Sequence, residues 1–381
     1  MCANPLASTA MVGKPQKSPN QTDSQAHAPA FEAEWSVSTV DGDDWTGQQS
    51  SIQMADDGSV HIAYMGNGGT NEWGGLMTSL SYATNAGGDF VTEVIDTPFE
   101  FTRFANPSMT LAADGSLHVL YTMIDDAWGA AELRYANNRF GFWMWEPVHF
   151  SWSYSPDVTV DDLGTVHATW YSDGDLWYGR NDGFGWFTEP IANGQDFGTS
   201  VAVDAGGVIH VTYWILFPDA DLGHAWNDGG GWQTEVIDAS EDEDTGNWSS
   251  LAVDAGGNLH VVHSDWTDRE LQYTTNASGA WVTTVADADV ENGLPNTLVI
   301  GSDGDLHVLY GGGRFIKYAT FDGADWLVRN VVGGDVFSPS LDLDALDAAN
   351  ISFGFGWPSN LQHATLGDGD GIDQNCDGVD G

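Results

Sequence analysis

One sentence is written six times along this chain, and that repetition constrains the fold more than any other feature. It reads "DDGSVHIAY" around His61, "ADGSLHVLY" around His118, "DLGTVHATW" around His167 and "DAGGVIHVTY" around His210. It returns as "DAGGNLHVVH" around His260 and "SDGDLHVLY" around His307, and a seventh, degenerate copy, "LDALDAANISFGF", has Asn350 where the others have histidine. The spacing between aligned positions is roughly 43–57 residues, a period that suits propeller blades. Each unit reads as strands. In the fifth, "SSLAVD", "NLHVVH", "ELQYTT" and "AWVTTVAD" are separated by the turns "AGGN" and "NASG", the signature of short antiparallel strands joined by hairpins. No segment holds a 3.6-residue apolar period, so almost no helix is expected.

The second strand of each unit is apolar on both parities. Leu259 and Val261 alternate with His260 and Val262, as in a strand packed between two layers. His260 and Asp254 have the vocabulary of catalysis. A residue that recurs once per unit serves the unit, however, and a buried imidazole must find hydrogen-bond partners. The histidines are therefore assigned to the scaffold.

The count of strands predicts how the ring closes. Fourth strands open on an aromatic residue after a turn: Phe90, Trp143, Trp186, Trp232, Trp281 and Trp326. The last unit stops after three strands at "LQHATL". The missing strand lies at the other end of the chain, in "EWSVSTVD", with Trp35 in the aromatic slot. The expected fold is all-β: a seven-bladed propeller of four-stranded antiparallel blades over residues 31–366, closed by the N-terminal strand. Closure removes exposed sheet edges. Residues 1–30, rich in Ser, Pro, Gln, Asn and Ala, read as a disordered leader. Residues 367–381 read as an acidic Asp/Gly-rich tail.

On these repeats the chain resembles the sialidase-like seven-bladed propellers, the group with bacterial neuraminidase repeats. That family's Asp-box is Ser-x-Asp-x-Gly-x-x-Trp, whereas the form here is Asp-x-x-Gly-x-x-His, as in Asp254, Gly257 and His260. The resemblance implies the fold and, less directly, sialidase chemistry. That chemistry would need an arginine cluster, for which Arg103, Arg269 and Arg314 are the candidates, and a tyrosine nucleophile with an acidic partner.

Charge narrows the partners. With 56 acidic and 10 basic residues the formal net charge is −46. Such a chain repels nucleic acid and anionic membranes. No run is apolar enough to span a bilayer. Cys2 and Cys376 form neither a disulfide framework nor a zinc pattern. The composition reads as that of an exported, secreted or cell-surface protein, a monomer, with Cys2 a candidate lipid-anchor residue in place of a visible signal peptide.

Strand order sorts the loops onto two faces. The first-to-second and third-to-fourth turns share one face; they are short and alike, and read as scaffold. The second-to-third loops and the crossovers between blades share the other, and they differ in every blade, which is where function is expected. They hold many tryptophans and acids. The candidate ligand-binding residues are Trp73, Asp125, Asp126, Trp128, Trp214, Asp265, Trp266, Asp268 and Arg269. Flat aromatic faces beside carboxylates suit sugars, because the ring stacks on C–H faces while carboxylates accept from hydroxyls. The leading reading is recognition of glycans or another cell-surface ligand. The alternatives are a carbohydrate-active enzyme, since carboxylate pairs abound, and a protein-interaction platform. In the tail, Asp368, Asp370, Asp373 and Asp377 of "DGDGIDQNCDGVDG" resemble the Asp-rich repeats of bacterial surface proteins. Ca²⁺ is the ion that such oxygen ligands would hold.

Overall fold

The computed structural model describes residues 30–31, 35–72, 74–194, 198–215, 220–239, 244–288, 290, 295–312 and 315–367. Among them every regular element is a strand, and the strands form seven antiparallel sheets of four, one of which gains a fifth. Blade one comprises Ser50–Met54, Val60–Thr70, Leu76–Thr84 and Val91–Asp96, and blade two Thr102–Leu111, Leu117–Asp125, Ala130–Asn137 and Met144–His149. Blade three comprises Tyr154–Val160, Val166–Ser172, Asp175–Asn181 and Trp186–Asn193, and blade four Thr199–Val203, Ile209–Ile215, Asp221–Asn227 and Trp232–Asp238. Blade five comprises Asn247–Val253, Leu259–Asp265, Glu270–Thr275 and Val282–Asp287, and blade six Thr297–Ile300, Leu306–Gly312, Phe315–Phe321 and Trp326–Gly333. Blade seven is built from Val336–Leu343, Ala349–Phe355 and Asn360–Leu366, with Trp35–Asp41 as its outer strand.

The closure expected from the strand count is present. Trp35 pairs with Leu366 and Val37 with Ala364. The Trp35 ring is buried, edge-on to Tyr318 of blade six at 5.6 Å. One pairing was not legible: Ala30–Phe31 add to the outer edge of blade six, opposite Gly333 and Val332. Among the described residues, this covers an edge that the other blades leave open.

The core lies between blades, because every second strand is apolar on both faces. Val262, Leu271 and Tyr273 of blade five pack with Leu298, Val308 and Tyr310 of blade six. The turns that join first to second strands are capped by their aspartates. Asp254 Oδ1 accepts from the Gly256 and Asn258 amides at 2.8 Å each, and Gly257 takes φ +80° there, which costs glycine little.

Candidate functional site

The Asp–His pairs are part of the scaffold. His260 Nδ1 lies 2.6 Å from the Tyr273 hydroxyl and Nε2 3.3 Å from Asp254 Oδ2. Burial raises the Tyr273 hydroxyl above its ordinary range. The phenol therefore donates to Nδ1, and Nε2–H donates to the carboxylate. His167 makes the same pair of bonds, to Tyr178 and Asp161. In blades one and two a serine intervenes, so His61 and His118 reach Ser59 and Ser116, which donate to Asp57 and Asp114. Blade four substitutes His224 for the tyrosine, 3.1 Å from His210.

Each third-strand ring in turn receives the aromatic residue that opens the next blade's fourth strand. Tyr82 meets Trp143, Tyr135 meets Trp186, Tyr178 meets Trp232 and Tyr273 meets Trp326, with centroids 4.8–5.6 Å apart. Three of these indoles, and Trp281 of blade five, also donate to a glutamate of the preceding blade: Trp143 to Glu93, Trp186 to Glu146, Trp232 to Glu189 and Trp281 to Glu235. An arrangement repeated around the ring is a seam. His260→Ala is expected to lower unfolding free energy by about 1–3 kcal/mol, the cost of orphaning buried polar partners. Chemical denaturation checks this, and ligand binding by the folded variant is expected to be unchanged.

The tyrosine-acid pairs follow the same logic. The Tyr121 hydroxyl donates to Asp96 Oδ2, which also accepts from Arg134 at 2.8 Å. Tyr121 is fully buried, so no substrate reaches it. Arg103 and Arg269 sit in blades two and five, well apart around the ring, and Arg103 is held by Asp126 at 3.1 Å. Arg314 lies outside the described residues.

A channel runs along the axis. It has a volume of about 520 Å³ and is lined by the first strands of all seven blades. One position of those strands carries Ser51, Ser108, Asp157, Ser200, Ser250, Thr297 and Ser340. These side chains satisfy the inner edge. Ser51 accepts from the Met109 amide, Ser200 from Leu251, Ser250 from Leu298 and Ser340 from Ile52. Asp157 bridges three blades, accepting from Ser108 Oγ at 2.9 Å and from the Val201 amide at 2.9 Å. Burial raises its carboxyl above the usual range. Asp342, one layer further along, accepts from the Met54 amide and is pushed up to about 6 by burial. At the upper mouth, Asn106, Ser155, Trp248 and Ser338 all take positive φ. Each lies at a bulge that opens an inner strand, where local strain turns the chain out of the channel.

The upper face, formed by second-to-third loops and crossovers, sorts the predicted residues. Trp128 is 86% exposed. Asp125 caps its turn, accepting from the Ala127 and Trp128 amides, and Asp126 sits beside it in the ion pair with Arg103. The next crossover lies against this loop, since Trp152 donates to the Gly129 carbonyl at 3.0 Å. Trp152 is stacked on Tyr154 at 6.2 Å and 19°, and Tyr154 is part of the channel lining. Phe99 and Phe150, on the flanking crossovers, are exposed. The result is an aromatic ridge that climbs from the rim of blade two to the channel mouth.

Blade five is built differently. Asp265 is buried and caps the turn through the Thr267 and Asp268 amides. Trp266 is half-buried, while Asp268 and Arg269 are exposed. Trp214 corrects the surface expected for it: it is 3% exposed, with its indole directed to Asp244. It lies within the strand Ile209–Ile215, where its neighbour Tyr213 packs toward blade three, so the tryptophan points to the opposite side. Trp73 lies outside the described residues, as do Asp368, Asp370, Asp373 and Asp377 with Cys2 and Cys376. Among the described residues no three His, Cys, Asp or Glu side chains gather as a metal site, and no helix is long and apolar enough to cross a membrane. The Trp152–Tyr154 stack was not singled out from sequence. Its signal was "SWSYSPD", in which an aromatic pair at i, i+2 precedes the inner-strand acid.

No protein-family model matches the sequence, and no curated protein matches it. Solved structures do match. An ulvan lyase from a new family of polysaccharide lyases, bound to a GlcA(1-4)Rha3S saccharide, is 10% identical over 88% of this chain and 95% of its own, with a TM-score of 0.57. A lectin from Aleuria aurantia, in complex with Fucα1-6GlcNAc, is 14% identical over 71% of this chain and 93% of its own, with a TM-score of 0.51. At these identities the likeness establishes the propeller fold.

Proposed function

We propose that this protein recognises glycans, outside the cell, through the aromatic ridge on the upper face of blades two and three. The observation that carries this reading is Trp128, almost fully exposed at the head of a ridge that continues through the Trp152–Tyr154 stack to the channel mouth. A large indole left in water costs solubility unless a ligand covers it. Its flat face suits the C–H face of a pyranose or furanose ring. Asp126 and Arg103 beside it supply acceptors and donors for hydroxyls. The lyase and the lectin of similar fold were both solved with saccharides, which lends the reading support by analogy of architecture.

Catalysis lacks comparable support. The Tyr121–Asp96–Arg134 cluster is buried, and the Asp–His pairs are engaged in the seams. Trp128→Ala is expected to weaken binding up to about tenfold, the loss of one stacking contact of ~0.5–1.5 kcal/mol, with unchanged melting because the side chain packs against little. A glycan array followed by calorimetry on the best ligand makes the measurement. Retained affinity in Trp128→Ala and Trp152→Ala would sink the ridge, and a blank array would sink glycan recognition. Turnover of a bound glycan would move the assignment to an enzyme.

A further inference from the structure

The lower face, whose turns are short and alike in most blades, departs from that rule in blades two and three. The third-to-fourth turns read "NAGGD", "NDGGG" and "NASGA" in blades one, four and five, but "NRFGF" and "NDGFG" in blades two and three. The turns are of equal length, and none of these bulky side chains is needed by the turn, as the glycine-rich versions show. Phe184 is 98% exposed, Phe140 70% and Phe142 59%, and Leu163, in the adjacent first-to-second turn of blade three, is 90% exposed. Phe187 and Trp145, on the outer strands beside these turns, are 50% and 44% exposed. The two blades are tied together at this end, because Glu146 accepts from both Asn181 and Trp186.

These six side chains amount to about four fully exposed large residues, roughly 600–1,000 Å² at ~150–250 Å² per aromatic side chain. That reaches or exceeds the ~300–600 Å² of the largest apolar patch on a typical monomer. It also matches the ~800 Å² that each partner contributes to a standard interface. The charges around it are of both signs. Arg139 and Arg180, exposed in an otherwise acidic chain, flank the phenylalanines, Arg180 lying over the Phe187 ring at 5.5 Å. Asp162 and Asp182, also exposed, sit in the same turns.

We propose that this corner is a self-association surface, on which a second copy of the chain docks about a two-fold axis. An isologous interface must be self-complementary. Here a two-fold operation sets phenylalanine against phenylalanine and brings the arginines of each copy to the aspartates of the other. Two of the 10 basic residues of a chain of net charge −46 stand there, which offsets part of the repulsion between two copies. The surface is on the opposite face from the aromatic ridge, so a dimer leaves both ridges free and bivalent.

Sedimentation equilibrium of the full chain tests this at 0.15 M and 1 M NaCl, from 1 to 100 µM. The expected result is a monomer–dimer equilibrium that tightens in high salt, since screening relieves the net repulsion. Phe140→Asp/Phe184→Asp, placed on exposed turns, is expected to weaken association at least tenfold with an unchanged melting temperature. Leu163→Asp provides an independent variant. A wild-type chain that stays monomeric at 100 µM in both salts overturns the proposal. So does association that survives all three substitutions, or a patch that instead binds some other macromolecule while the chain remains monomeric.

Discussion

A chain that lacks residues 1–41 is expected not to reach the native ring, while one that lacks residues 1–29 melts within a few degrees of the full chain. The longer deletion removes the outer strand of blade seven. It strips the pairing of Trp35–Asp41 with Asn360–Leu366, and it opens the cluster in which Trp35 packs with Leu309, Ile316, Tyr318, Val332 and Leu341. It also removes the acceptor of the Tyr64 hydroxyl, Asp41 Oδ2 at 2.7 Å, which ties blade seven to blade one. Losing a buried tryptophan side chain alone costs about 3–5 kcal/mol. Adding the strand's hydrogen bonds takes the loss to the scale of a whole domain's stability, ~5–15 kcal/mol. The shorter deletion leaves these contacts in place. Thermal melts of the two truncations, followed by near-ultraviolet circular dichroism, make the comparison. Equal melting temperatures would mean that the ring does not need its closing strand.

Mild acid is expected to unfold the protein, steeply, between about pH 6.5 and pH 4. Nine histidines are held below their ordinary value, in each case chiefly by burial: His61, His118, His149, His167, His210, His224, His263, His307 and His363. His118 and His363 lie near 4. A histidine depressed in the folded state takes up a proton more readily when unfolded. Its contribution is thus complete above about 6.5 and is lost as the pH falls toward the folded value. At up to ~1.4 kcal/mol per proton per pH unit, His118 and His363 alone account for several kcal/mol by pH 4.

Geometry gives the same sign. In the seams Nδ1 accepts from a tyrosine that burial keeps protonated, as at His167 and His307. Protonating that nitrogen sets donor against donor. Asp157 and Asp342 act oppositely, since burial raises both. Their ionised forms are penalised, so both favour folding as the pH drops toward the ordinary carboxylate range, Asp342 from about 6 downward. Two such groups stand against nine. The aspartates held low by their turns, Asp57, Asp114, Asp161 and Asp254 among them, add to the loss only below about 4. Urea unfolding at half-unit pH steps gives the slope. A stability that is flat from pH 7 to 4.5 would show that the histidine seams carry no burial cost.

The seams illustrate how much was legible in the sequence. A histidine at one strand position in six units, beside an aspartate one turn earlier, could be assigned to the scaffold from recurrence alone. Its second partner could not. Tyr273 and Tyr178 lie on the next strand, and the indoles that pack on them belong to the next blade. Sequence locates such residues only as "aromatic in the third strand" and "aromatic at the fourth".

The site residues divide in the same way. Loop membership is a matter of chain order, so Trp128 and the Asp126–Arg103 neighbourhood fell on the variable face as expected. Burial depends on what packs from outside the loop. Trp214 and Trp128 are both tryptophans of that face, yet one is covered by the neighbouring blade and the other stands in solvent. Likewise the sequence places the phenylalanines of the lower turns in the scaffold, because turn length and glycine content say nothing about what protrudes.

By itself, then, the sequence determined the number of blades, the strands in each and the strand that closes the ring, because these follow from period-two patterning, turn residues and a count. Tertiary structure alone decided which acids bridge blades, which aromatic rings meet, and which face of the ring holds its apolar surface. Those depend on contacts between residues about fifty positions apart or more, where the distance in space is set by the curvature of the ring and not by the spacing along the chain.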